Sequence, residues 1–138
     1  MFDTYHMLLS TKYFLDNEFL LKYCQVVDRN KGIKHLNHNT HKHHILPVSW
    51  FKLTNSVVNN ELNNLVRLPV RDHFMAHYYL CLCTEDPFKY ANQLALMCLE
   101  SNKRIKQFDK ELLHRLPMYN NIYEDLNIKL KNNYRLYS

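Results

Sequence analysis

The chain has 138 residues and a mass of 16.8 kDa, the size of one domain, and 46% of its residues are hydrophobic. This composition excludes a wholly disordered chain. The sequence contains no run of about 18 apolar residues, so it predicts no transmembrane helix. Basic residues number 18 against 13 acidic ones, and the resulting pI near 9.0 permits a polyanionic partner. The N-terminus lacks the pattern of a secretory signal, so we expect an intracellular, cytoplasmic protein with no membrane partner.

The first predicted helix covers residues 13–28, in which apolar residues recur at helical spacing: Leu20, Leu21, Cys24 and Val27. Asp16 or Asn17 can cap its start, and Gly32, the only glycine, is suited to end it. Residues 33–40 are polar and basic and predict a loop. Residues 1–40 therefore predict an N-terminal helix followed by a basic linker.

Two short strands and a helix are predicted next. A β-prone run over residues 44–50 is interrupted by Pro47, which suits an edge strand leading into a loop. Residues 54–63 are rich in Asn and Ser and predict an irregular connection to a second strand at 65–68. Pro69 then precedes a predicted helix from Val70 to about Cys83.

The C-terminal part of the chain is predicted to be helical. Asp86 and Pro87 open a helix that extends to about Ser101, and its apolar stripe predicts a buried Cys98. Residues 103–138 have helical character in pieces broken at Pro117. The four cysteines form no CxxC pair, and we expect buried, reduced thiols.

Histidine is the unusual residue of this composition, with nine in the chain. His73 and His77 lie four apart on a predicted helix, so both imidazoles can reach one metal ion, although two unrelated surface histidines explain the spacing equally well. Cys81 extends the same row. A structural zinc site of these three residues is conceivable, but a thiol packed in the core is the simpler interpretation.

His43 and His44 lie together at the start of the first predicted strand. Because adjacent strand residues point to opposite faces, one imidazole can bind a metal ion while the other addresses a water molecule or a substrate. Asn64, just before the second strand, offers a side-chain carbonyl that could fix an imidazole tautomer.

The order His-His, Asn-Leu-Val, His-x-x-x-His is carried here by His43-His44, Asn64-Leu-Val66 and His73 to His77. It resembles the HNH endonucleases of the ββα-metal (His-Me finger) class, especially the small phage or prophage type, over about residues 41–80. The resemblance implies an α+β fold. In that fold a two-stranded hairpin and a helix form the ββα-metal nuclease core at 41–83, wrapped by helices from 1–40 and 84–138 within a single domain.

The same resemblance implies a role for each matching residue. His43 and His73 would ligate one divalent ion (Mg²⁺, Mn²⁺, Zn²⁺ or Ni²⁺), and His77 would be a third ligand or a phosphate contact. His44 would be the general base, and Asn64 would orient it. Four basic residues near these positions could hold the phosphate backbone of DNA electrostatically: Lys42, Lys52, Arg67 and Arg71.

The sequence therefore predicts a metal-dependent DNA endonuclease of the nicking or homing type, with activity that falls below about pH 6.5 as imidazoles become protonated. One alternative is a non-catalytic nucleic-acid-binding module with a structural zinc ion, and another is an RNA-cleaving toxin of the same fold. His41 occupies a position where relatives often have an acidic residue, which leaves the orientation of the metal ligands open.

Overall fold

The computed structural model describes residues 3–35, 39–101, 111–112 and 114–134, and it has an α+β fold. Its principal elements in chain order are α1 (Thr4–Leu9), α2 (Glu18–Asn30), β1 (Thr40–His44), α3 (Val48–Leu53), β2 (Leu65–Pro69), α4 (Val70–Leu82), α5 (Phe88–Glu100) and α6 (Tyr119–Lys131). A short 3-10 turn at Leu62–Asn64 precedes β2. No helix within the described ranges combines the length and the apolar character needed to cross a bilayer.

Helix α2 begins five residues later than the predicted range of 13–28 and ends two residues beyond it, but its start agrees with a predicted cap. The side chain of Asn17, rather than that of Asp16, accepts hydrogen bonds from the backbone N–H groups of Phe19 and Leu20. After the helix, Gly32 has a φ of +70°, a left-handed conformation that glycine adopts without strain. Gly32 thus lies just after the C-cap residue Lys31, where a left-handed residue commonly ends a helix.

Strands β1 and β2 form an antiparallel two-stranded sheet in which His43 lies opposite Val66 and Lys42 opposite Arg67. The predicted position of the first strand is wrong, because β1 ends at His44 and residues 48–53 form α3 instead. Pro47 is the N-cap of α3, where its fixed φ suits the entry to a helix and its missing N–H costs no bond. The histidine-rich segment thus supplies the strand.

Helix α4 follows β2 directly and contacts both strands, α2 and α5. One core cluster joins α1, α2, the hairpin and α4, and a second lies between α4, α5 and α6. The guanidinium of Arg29 on α2 pairs with Asp72 in the first turn of α4 at 2.7 Å, and Asn30 donates to the same carboxylate at 2.8 Å. These contacts fix the first turn of α4 against the end of α2.

The prediction that Cys98 lies in the core is wrong, because this cysteine is exposed. The buried face of α5 instead contains Gln93, whose amide donates to Asp125 and accepts from Lys129. A buried amide is tolerated in a core when both of its polar atoms are hydrogen-bonded. Helix α5 can therefore bury the face that carries Gln93, which leaves Cys98 exposed. Cys81, in contrast, is fully buried as expected.

Candidate metal centre

Three imidazoles converge where β1 crosses α4. One ring nitrogen from each of His43, His73 and His77 lies within 4.8 Å of the others. The two helical residues are one turn apart, with 3.0 Å between their Nε2 atoms, and the ring of His43 packs edge-on against both at centroid distances of 5.4 and 5.3 Å. The structure therefore brings together all three sequence-predicted metal ligands.

The spacing of these nitrogens is compatible with one divalent cation. Two nitrogens bound at about 2.1 Å lie roughly 3.0 Å apart when they subtend a right angle at the ion, and roughly 3.4 Å apart in a tetrahedral arrangement. The Nε2 atoms of His73 and His77 are at the lower of these separations. The Nδ1 atom of His77 is buried and has no hydrogen-bond partner within the described part of the chain. Because a metal ion bound at Nε2 would leave Nδ1 without a partner, the spacing of the three donor nitrogens is the observation that fits a bound metal ion.

Burial makes these imidazoles difficult to protonate. It lowers the pKa of His73 to about 3, with the neighbouring His77 and His41 as further causes, and it lowers the pKa of His77 to about 4. Burial also holds the pKa of His43 well below its ordinary value. All three rings are therefore neutral at pH 7, which is the form that binds metals.

Two further side chains bond to the ligands from outside the cluster. The hydroxyl of Tyr23 on α2 lies 2.8 Å from His43 Nε2, and Nδ1 of His41 lies 2.8 Å from Nδ1 of His73. Sequence reasoning left the role of His41 open and did not single out Tyr23. The alternation of β1 could have placed His41 beside His43 on one strand face, whereas Tyr23 is 20 residues away and gave no local signal.

His44 is not part of this cluster. It is partly exposed, and its Nε2 atom lies 2.8 Å from the side-chain oxygen of Asn60. Because an amide oxygen only accepts, His44 carries its proton on Nε2 and keeps the lone pair on Nδ1. An imidazole held in this way can accept a proton at Nδ1 from a neighbouring group.

Asn64 makes contacts that differ from those expected. It is 3% exposed; its side-chain oxygen accepts from the backbone N–H of Leu46 at 2.8 Å, and its amide donates to the carbonyls of Leu46 and Asn59 at 3.1 and 3.0 Å. The structure thus does not show the expected bond to His44, which Asn60 makes instead. The Asn64 side chain thus joins the two ends of the loop between β1 and β2.

The four basic candidates are all exposed, and they are distributed over the hairpin, α3 and α4. Lys42 and Arg67 lie directly opposite each other on the hairpin, on the strand face that also carries His44. Lys52 lies on α3, and Arg71 lies in the first turn of α4. Like charges placed opposite each other on a sheet repel, so the hairpin pair is the best placed of the four to bind an anion.

The chain matches no protein-family model, no curated protein and no solved structure.

Proposed function

We propose that this protein is a metal-dependent endonuclease of the HNH type that hydrolyses phosphodiester bonds in DNA. The observation that supports this most is the arrangement of adjacent histidines on β1. His43 faces His73 and His77 as a candidate metal ligand, while His44 lies on the other strand face with its Nδ1 lone pair available. A metal-dependent phosphodiesterase needs these two functions side by side.

The proposed reaction divides its chemistry between a metal ion and the side chains around it. A bound divalent cation would neutralise charge on the phosphate and stabilise the departing 3′ oxygen. His44 accepts the proton of the attacking water at Nδ1, while Asn60 holds the opposite ring nitrogen and so aims the base. The products are a 5′ phosphate and a 3′ hydroxyl, as the resemblance to HNH enzymes implies.

Substrate binding is assigned to the exposed basic residues of the hairpin. Lys42 and Arg67 share a strand face with His44, so a phosphate backbone that contacts them passes the proposed base. Lys52 and Arg71 extend the positive surface onto α3 and α4. These contacts are independent of base sequence, and they position the strand without selecting a recognition site.

The test is cleavage of supercoiled plasmid, and of RNA in parallel, with Mg²⁺, Mn²⁺, Ni²⁺ or Zn²⁺ and with EDTA as the blank. We expect EDTA to abolish DNA cleavage. We expect His44→Ala to slow cleavage by about 10² to 10⁴ while metal and DNA affinities are kept. His6→Ala is the matched control, because His6 is an exposed imidazole that pairs with Asp3 on α1.

The proposal fails if the wild-type protein leaves plasmid DNA intact with every cation, or if His44→Ala cleaves at the wild-type rate. Cleavage of RNA alone would identify the RNA-cleaving alternative.

A second candidate function is a nucleic-acid-binding module held together by structural zinc. The observation in its favour is burial, since His43 is only 4% exposed and structural zinc sites are closed to solvent. In that case chelation unfolds the chain and His44→Ala changes nothing. Circular dichroism of the chelated protein beside the plasmid assay therefore separates the two candidates.

A further inference from the structure

Tyr23 lies between the candidate metal site and the backbone of the hairpin. It projects from the middle of α2, its side chain is fully buried, and its hydroxyl is within hydrogen-bonding distance of two groups. One is the carbonyl oxygen of Ile45 at 2.6 Å, and the other is Nε2 of His43 at 2.8 Å. The hydrogen bond to His43 thus joins a candidate metal ligand on β1 to α2.

The direction of both hydrogen bonds follows from the chemistry of the partners. A carbonyl oxygen has no proton to give, so Tyr23 must donate its single hydroxyl proton to Ile45. With that proton in use, the hydroxyl can only accept from His43, and Nε2 of His43 must carry a proton. A neutral imidazole has one N–H, so the lone pair of His43 is on Nδ1.

We infer that Tyr23 is a positioning residue that fixes the tautomer of His43, so that Nδ1 of His43 is the atom presented to the metal ion. The inference rests on the proposed metal site and goes beyond it, because it assigns the ligating atom and a role for α2. The side chains that bond to metal-ligating histidines orient the ring and choose the tautomer, and their loss weakens metal binding about 10- to 100-fold.

The first test needs no substitution and no metal. Long-range ¹H–¹⁵N correlation spectra of the ¹⁵N-histidine-labelled, metal-free protein at pH 7.5 report which ring nitrogen carries the proton. We expect His43 to be predominantly the Nε2–H tautomer. If His43 carries its proton on Nδ1, the inference is overturned, whether or not the protein cleaves DNA.

The second test is Tyr23→Phe, which removes the hydroxyl and keeps the ring. We expect a mixture of His43 tautomers and affinity for Zn²⁺ or Ni²⁺ that is about 10- to 100-fold weaker by titration calorimetry. Tyr78→Phe is the matched control: Tyr78 is 3% exposed, and its hydroxyl accepts from the backbone N–H of Met118 rather than from a histidine. It should keep wild-type tautomers and affinity.

Equal metal affinity and an unchanged His43 tautomer in Tyr23→Phe would also overturn the inference. The nuclease proposal is judged separately, because the plasmid assay can fail while the tautomer result stands. If Tyr23→Phe does not fold, the spectrum of the wild-type protein still decides, since its readout does not depend on any variant.

Discussion

Asn64 provides the sharpest test of how the loop between β1 and β2 is held. Replacing it with alanine removes three hydrogen bonds, to Leu46 N–H, Leu46 C=O and Asn59 C=O. Each such bond contributes about 0.5–1.5 kcal/mol net, and buried partners left without one cost more. We therefore expect Asn64→Ala to lower the free energy of unfolding by about 2–4 kcal/mol, a large part of the total for a domain of this size.

Asn60→Ala is the comparison variant. Its amide is exposed and bonds His44, so its removal should change the free energy of unfolding by less than about 0.5 kcal/mol. The same change should slow cleavage, because His44 loses the group that holds its Nε2–H. The two asparagines thus separate stability from activity.

Both free energies can be measured by urea denaturation followed by the fluorescence of Trp50, the only tryptophan, whose indole bonds Lys12 O at 2.9 Å. If Asn64→Ala unfolds at the wild-type midpoint with an unchanged slope, Asn64 does not anchor the loop. If Asn60→Ala destabilises the fold as much as Asn64→Ala, the division of roles is refuted.

Two further predictions concern acid stability and salt. Burial lowers the pKa of His77 to about 4 and that of His73 to about 3 in the folded protein. Below about pH 6.5 the unfolded chain therefore binds more protons than the folded metal-free protein. The free energy of unfolding should fall from there toward pH 3, by on the order of 3 kcal/mol for His77 alone. A pH-independent urea midpoint would contradict this. Lys42→Gln and Arg67→Gln should each reduce the slope of log affinity for DNA against log salt by about 1, measured by fluorescence anisotropy, whereas Lys22→Gln on α2 should leave it unchanged.

Helices α2 and α4 were predictable because their signals are local, whereas α1 and α3 were not predicted. Asn17 caps α2, and Pro69 directly precedes α4, whose first turn holds Asp72. In each case the residue acts on backbone groups within one turn, so the sequence alone is enough to place the boundary. The strand of His43 was misplaced for the opposite reason. Its residues are polar, and the imidazole of His43 contacts His73 and His77 on α4, which is distant in sequence. No local sequence pattern indicates such a contact.

The three candidate metal ligands were predictable, but the side chains that orient them were not. The spacing of His73 and His77 alone puts both on one helix face, and the position of His43 followed from the resemblance to HNH enzymes. Tyr23 and Asn60 enter the site through the packing of α2 and the path of a loop. Such contacts depend on tertiary structure, which is why sequence reasoning assigned the orientation of His44 to Asn64.

The number of donors, rather than their burial, favours a catalytic centre over a structural one. Within the described ranges three histidines group as donors, and His41 bonds His73 instead of joining them. Structural zinc usually has four protein ligands, whereas catalytic ions keep one position for water or substrate. Burial of His43 does not oppose this, because a catalytic ion would need access to substrate at only one coordination position. Under the proposed function, a phosphate oxygen would take that position, and His44 would act on the attacking water from β1.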